Sequence, residues 1–507
     1  MQIRNERRAG VLLTYLNLMI SFIIPMLYTP VMLRLLGQQE YGLYSLSNSI
    51  ISYLGLLSLG LGSAIVRYLM QCRAEDKMEE FNRMAGLFLM IYILISGVSL
   101  LAALGLTGLT GVIFGNGLSE TEIGTLKVLI AIMSVGTVIS LIGGVFTSFI
   151  TCLEKYFFLK LTAVISTIAL PVLNLVTLHL GMKSVGLALV HVLLQACICG
   201  INVWYCTAKL NVRPVFRDLP VDKLKDIFKY SAFVFIGLIA DMLYWATDKV
   251  LIGALIGSVA VGVYNVGGTF HSILQNMTSA ISNVFTPEVN KMVVKERSNA
   301  NLSELMTRIG RIQYLIVSLV LSGFAVFGKP FIRFWAGPEY LEAYDVALLT
   351  MFPLAIPLIQ NIAFTIIKAQ GKHQFRSVLY LVLAVANAVS TFFLIPIMGI
   401  TGAALCTCIV FVLGHGLSMN WFYYKKIGLD IPGFWKNILR MSIVPAVLAV
   451  VWMLLKLPIY DLWGMLLQIV IYTAIFCGLS WLFTMNRYEK DLILSLVRKV
   501  LPLKGKK

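Results

Sequence analysis

Asp241, Asp248 and Lys249 fall within nine residues of the stretch ADMLYWATDKVLIG (240–253), inside an apolar run long enough to cross a membrane. A charge at the centre of such a helix costs about 2.5–3.5 kcal/mol on insertion scales, so charges there mark ion or substrate paths or pair with one another. A partly buried carboxylate can bind a proton or sodium ion in one conformation and release it in another, which makes Asp241 and Asp248 candidates for cation coupling. At about 100° per residue, Asp248 lies about 20° from Asp241, Trp245 about 40° and Lys249 about 80°. All four share one face, with Tyr244 at its edge, while Ile239, Met242, Ala246 and Val250 make the opposite face apolar. Two readings follow: the polar face lines a water-filled cavity, or it is a charge-paired packing site with Lys249 snorkelling outward. Cavity lining is the stronger, because it relieves the insertion cost of all three charges.

This run is one of many. Of 507 residues, 59% are hydrophobic and 13% charged, about half the ~25% charge of soluble domains. Apolar stretches of membrane-spanning length recur from end to end, and no polar segment is long enough for a soluble domain. The chain is therefore an all-α polytopic membrane protein. The spacing predicts fourteen transmembrane helices, at 10–34, 43–69, 84–107, 123–150, 158–180, 184–207, 229–256, 261–288, 305–327, 343–367, 376–396, 400–423, 437–456 and 462–484. The basic N-terminus leads into a run too long for a signal-peptide core, so that run is expected to remain as the first span. In the tail, Leu492, Leu496 and Val500 share a face between charges, which fits an amphipathic helix on the cytoplasmic surface.

The formal charge of +17 does not point to nucleic acid, because the basic residues lie between the apolar runs. With the N-terminus inside, 34 of the 41 Lys and Arg fall in cytoplasmic segments and six outside, with Lys249 left over. That asymmetry follows the positive-inside rule and puts both termini in the cytoplasm. The eight Cys match no zinc or disulfide spacing and read as small packing residues; no cofactor or metal is expected beyond a coupling H+ or Na+. His179, His191 and His415 do not cluster, and Glu288 beside Pro287 marks a membrane boundary.

The chain also repeats itself. LLGQQEYGLYSLS (35–47) matches LIGSVAVGVYNVG (255–267), so that Gly37, Gly42 and Tyr44 correspond to Gly257, Gly262 and Tyr264 at an offset of 220. LEKYFFLK (153–160) echoes GKHQFRSV (371–378), and VGLAL (185–189) echoes TGAAL (401–405). The offset spans an even number of helices, so the repeats run in the same direction, an arrangement typical of transporters. The expected organisation is an N-terminal lobe (1–207), a cytoplasmic linker (208–228), a C-terminal lobe (229–423) and two extra helices with the tail (424–507). The two pseudo-symmetric lobes would flank a central cavity and work by alternating access.

The motif R-x-L-G-x-x-x-Y-G-x-Y (Arg34, Leu36, Gly37, Tyr41, Gly42, Tyr44) resembles the bacterial polysaccharide transporter family. So do GLGSAIVRYL (60–69), TDKVLIGALIGSVAVGVYNVGG (247–268), FTPEV (285–289) and AQGKHQFRSV (369–378). That family comprises lipid-linked oligosaccharide flippases, including O-antigen flippases, of the multidrug/oligosaccharidyl-lipid/polysaccharide exporter superfamily. The resemblance implies a substrate with a pyrophosphate, a glycan and an undecaprenyl tail, moved across the bacterial cytoplasmic membrane. It further implies that the tail stays in lipid while the head group enters a basic cavity lined by helices one, two, seven and eight. Membrane lipids, a polysaccharide polymerase and glycosyltransferases are the implied partners, and a monomer is the expected state.

On that reading, Arg34 and Arg67 are the candidates for the pyrophosphate, because guanidinium pairs bidentately with phosphate oxygens. Their plainer role is interfacial anchoring, although the helix carrying Arg67 is long enough to bury it partly. Lys249 is assigned to the anion and Asp241 and Asp248 to the coupling cation, with Tyr244 and Trp245 stacking on sugar rings. Asn17, Asn48 and His271 add polarity to helices one, two and eight, and Lys368 stands where a head group would arrive. A lipid-II-type precursor flippase would share this chemistry. A cation-coupled multidrug exporter would favour a more acidic cavity. A membrane glycosyltransferase or polymerase needs a larger outer loop than the chain contains, so no enzymatic activity is expected.

Overall fold

The structure is a computed structural model that describes residues 2–295, 298–372 and 374–500; at most of 2–18, at 22, 233 and 241, and at 496–500, only the backbone is described. Every regular element among them is helical. In chain order these are α1 (Gln2–Leu36), α2 (Gln38–Gly55), α3 (Leu61–Ala74), α4 (Met78–Phe114), α5 (Glu120–Cys152), α6 (Tyr156–His179) and α7 (Lys183–Trp204). They continue as α8 (Leu224–Trp245), α9 (Thr247–Leu255), α10 (Ser258–Val294), α11 (Asn299–Trp335), α12 (Ala343–Ile359), α13 (Asn361–Ala369) and α14 (Gln374–Phe411). The short α15 (Asn420–Phe422) lies between two π-helical stretches, and α16 (Ile431–Leu455), α17 (Leu462–Leu479) and α18 (Arg487–Val500) close the chain.

Eleven described helices are long and apolar enough to cross a membrane, and the bent pair α12–α13, with 47° between its halves, makes a twelfth. One of the eleven runs from Gln374 to Ile427, but its backbone leaves the helical region at Gly399 (φ 61°, ψ −144°). That conformation suits a residue without a Cβ, and it divides the stretch into two lengths that each suffice to span. The 37-residue α10 is more polar yet about 55 Å long, so each of the fourteen expected spans has a helical counterpart. The outer surface is apolar, as lipid requires: Val112, Ile397 and Leu101 are among many large side chains left exposed.

Three spans are broken where the sequence reading had them continuous. The second divides at the left-handed pair Leu59 and Gly60, the seventh at Ala246 between α8 and α9, and the tenth at Gln360. Polar caps set several starts: Ser119 and Glu122 form a capping box on α5, and Asp430 and Asp461 accept the N–H groups of Gly433 and Gly464 at α16 and α17.

By internal packing the chain divides into two compact units, Met1–Asn265 with Leu381–Ala403, and Val266–Tyr380 with Ala404–Lys507. This grouping cuts across the expected division, because α8, α9 and the first turns of α10 cluster with the first six spans. In the first unit α5 packs on α4 and α7, and α1 packs on α6, around a core that includes Phe81, Phe88 and Phe149. In the second unit α11 packs on α12, α16 and α17. There Tyr472 meets Phe327 and Trp452 edge-on, with ring centroids 5.6 and 5.4 Å apart.

Candidate functional site

The break at Ala246 puts Asp248 in the first turn of α9, where the exposed N–H groups of a helix start favour negative charge. Next to the break, the Thr247 and Tyr53 hydroxyls lie 2.5 Å apart, joining α9 to α2. Asp248 is only 2% exposed. Its Oδ2 accepts a hydrogen bond from the Tyr264 hydroxyl at 2.6 Å. Its Oδ1 faces Asn387 Nδ2 at 3.3 Å and Thr391 Oγ1 at 3.5 Å, both donating. Asn387 and Thr391 stand one turn apart in α14 and are fully buried. Three neutral donors from two other helices therefore satisfy a buried carboxylate. Each donor group also carries an oxygen, so small rotations would turn the same shell into oxygen ligands for a hard cation or leave a protonated carboxyl hydrogen-bonded. Among the described residues no cluster of three or more His, Cys, Asp or Glu could hold a metal ion.

Lys249 turns to different partners. Its Nζ donates to Asn265 Oδ1 at 2.6 Å, and Asn265 Nδ2 donates to the Tyr41 hydroxyl at 2.6 Å. It is half-buried and bonded inward rather than snorkelling to the surface. Tyr41 and Tyr264 belong to the repeated motif, so each charge is held by a residue of a repeat.

The repeats also touch directly. A Cβ on Gly42 would lie 1.8 Å from the carbonyl oxygen of Ser258, and one on Gly262 would lie 2.9 Å from that of Gln38. Gly262 is the counterpart of Gly42, and Ser258 that of Gln38, at the same offset of 220. The contact is reciprocal, as around a two-fold axis. Only glycine allows it. Ser258 also donates from its hydroxyl to Glu122, the capping-box residue of α5.

The other expected site residues are scattered. Tyr244 is buried, with its ring centroid 6.0 Å from that of the half-buried Trp245, and the Asp241 side chain lies outside the described residues. Asn17 accepts from the Thr167 hydroxyl at 3.3 Å, and the exposed Asn48 donates to the Tyr44 carbonyl at 2.9 Å. Arg34 is exposed in the last turn of α1. Arg67 is exposed too, its guanidinium 4.8 Å over the Tyr230 ring, and not partly buried as its helix length suggested. The reason is the left-handed turn at Leu59 and Gly60, which starts a new helix and resets the face that Arg67 occupies. His271, buried, and Lys368, exposed in the last turn of α13, belong to the second compact unit.

The partners that complete the site, Asn387 and Thr391, were not singled out from sequence. Their signal was faint: with Ser390 they are the three polar residues of the otherwise apolar LVLAVANAVSTFFL (381–394).

Comparison with known proteins agrees with this architecture. The sequence profile of a family described as polysaccharide biosynthesis protein matches residues 8–293, more than half of the chain. The uncharacterized membrane protein EpsK of Bacillus subtilis (strain 168) is 21% identical over 496 residues, 95% of this chain and 96% of that protein. The capsular polysaccharide biosynthesis protein CapF of Staphylococcus aureus is 25% identical over 236 residues, 45% of this chain and 56% of CapF. Among solved structures, the lipid II flippase MurJ in an inward closed conformation superposes with a TM-score of 0.74 at 14% identity, covering 96% of this chain and 99% of that one. An inward-facing MATE multidrug resistance transporter of the MOP superfamily gives 0.62 at 14% identity, over 83% and 99%.

Proposed function

The chain belongs to the polysaccharide biosynthesis protein family, and from that premise we propose that it flips undecaprenyl-pyrophosphate-linked oligosaccharide across a bacterial cytoplasmic membrane. It is a multi-pass membrane transporter of the multidrug/oligosaccharidyl-lipid/polysaccharide exporter superfamily and not an enzyme. The observation that carries the reading is the adjacent pair Asp248 and Lys249, each bound by residues from beyond its own helix. In the proposed cycle Asp248 binds the coupling cation, H+ or Na+, with Tyr264, Asn387 and Thr391 as its shell. Lys249 meets the anionic pyrophosphate and gives up its bond to Asn265 as it does so. Arg34 and Arg67, both exposed, attract the head group, with Trp245, Asn17 and Asn48 as further polar or aromatic contacts. The glycine seam between α2 and α10 separates and re-forms as access alternates. Both termini lie in the cytoplasm, on the side that carries most of the Lys and Arg.

The polar network that holds both charges supports this cycle, because it joins each of them to a helix other than its own. A deletion strain tests the substrate. Loss of surface glycan and build-up of the lipid-linked repeat unit on the inner leaflet is the expected result. Normal glycan without build-up, in a strain with no second flippase, would reject it. A lipid-II-type precursor has the same pyrophosphate and polyprenyl tail; rescue of a strain lacking its lipid II flippase would favour that substrate instead.

A further inference from the structure

Within the second unit, the first three turns of α11 and α16 and the link from α17 to α18 enclose a cavity of about 850 Å3. Three arginines line it. Arg311 is buried and held by a bidentate pair with Glu489 (Nε to Oε1 2.6 Å, Nη2 to Oε2 3.1 Å), and it also donates to Asn437 Oδ1 and the Thr484 carbonyl. It is a fixed rear wall. Arg308 pairs with Glu288 at 3.1 Å and stacks 5.0 Å over the Tyr488 ring, yet its Nε is buried with no hydrogen-bond partner. Arg440 is exposed and makes no ion pair or hydrogen bond among the described residues. Glu304, exposed, and Asp430, whose Oδ1 caps α16, complete the charged lining.

The charges are ordered by depth. Glu304 precedes Arg308 by four residues of α11, about 6 Å along the axis, and Asp430 precedes Arg440 by ten at α16, about 15 Å. Both helices run from this end into membrane-length apolar stretches. The acids therefore stand at the mouth and the arginines one or more turns deeper. In a bilayer leaflet, a phospholipid's phosphate lies next to the hydrocarbon and its amine lies further out.

We propose that this cavity binds the headgroup of an aminophospholipid, with the phosphate on Arg308 and Arg440 and the ammonium on Glu304 and Asp430. Guanidinium suits phosphate oxygens in paired hydrogen bonds. Phe483 is 72% exposed at the rim and offers apolar surface to the start of the acyl chains. A quaternary choline donates no hydrogen bond to the acids, and a glycerol headgroup brings no positive charge. Selection for a primary amine follows.

The test uses the full-length protein in nanodiscs of equal phosphatidylethanolamine, phosphatidylglycerol and phosphatidylcholine, with lipid retention read by native mass spectrometry. The wild type should retain phosphatidylethanolamine over the other two. R440Q should lower that retention about tenfold, the effect of one charge-assisted hydrogen bond. E304Q should erase the preference for the amine while leaving retention of phosphatidylglycerol. Both residues are exposed, so neither change threatens folding, and thermal melts check that directly. Equal retention of all three lipids, or variants that retain like the wild type, overturns the proposal. Displacement of every lipid by inorganic phosphate alone marks a soluble-phosphate site and overturns the lipid assignment.

Discussion

Gly42 meets the main chain of Ser258 so closely that a Cβ at position 42 would stand 1.8 Å from the Ser258 carbonyl oxygen. No side-chain adjustment relieves that clash, because the obstacle is backbone, and overpacking of this kind costs about 1–3 kcal/mol or more. G42A should therefore force α2 and α10 apart at their first turns. With S258C as a reporter, labelling by a maleimide should rise severalfold in the G42A background over S258C alone, after subtraction of the native cysteines. Unchanged labelling would mean that the seam does not depend on this contact.

Lys249 donates to Asn265, which donates to Tyr41, so the chain of bonds reaches the first repeat. Y41F removes the acceptor of the Asn265 bond and should cost about 1 kcal/mol of stability with a modest loss of transport. K249Q keeps a donor for Asn265 but removes the charge, and transport should fall at least about tenfold if that charge holds the pyrophosphate. The comparison of transport rate with thermal stability separates the two roles: Y41F should move both slightly, K249Q chiefly the rate.

Arg311 and Glu489 form a buried ion pair that ties α18 to α11, with side chains 10% and 2% exposed. Removing one partner leaves an uncompensated buried charge, typically about 3–5 kcal/mol. E489A should lower the melting temperature clearly, and the double substitution R311M/E489M should recover most of the loss. Equal melting of wild type and E489A would show that the tail is not anchored there.

The helices were legible because hydropathy acts locally, segment by segment. The boundary between the eleventh and twelfth spans was also readable: Pro396 and Gly399 in IPIMGITG announce the break that the backbone makes at Gly399. The repeat was legible as a pattern, but not that Gly42 and Gly262 press against each other's repeat. The pairing of Asp248 with Asn387 was hidden for the same reason. It joins residues 139 positions apart, and a few polar residues on an apolar helix do not say which distant group they meet. Arg67 shows the opposite failure: helix length suggested partial burial, whereas the residue is exposed on the helix that starts anew after the left-handed turn at Leu59 and Gly60. The tail helix was foreseen as amphipathic, whereas its anchor through Glu489 depends on which charge becomes buried, which periodicity does not encode.

The most direct test is gradient-driven flipping of a fluorescent undecaprenyl-pyrophosphate-linked oligosaccharide in proteoliposomes, comparing wild type with D248N under imposed sodium and proton gradients. The account predicts that one gradient accelerates the wild type and that D248N, folded and present in equal amount, loses the acceleration, with N387A intermediate. Full gradient-dependent flipping by D248N would contradict the assignment of the cation to Asp248, and no flipping by the wild type under either gradient would contradict the proposed substrate.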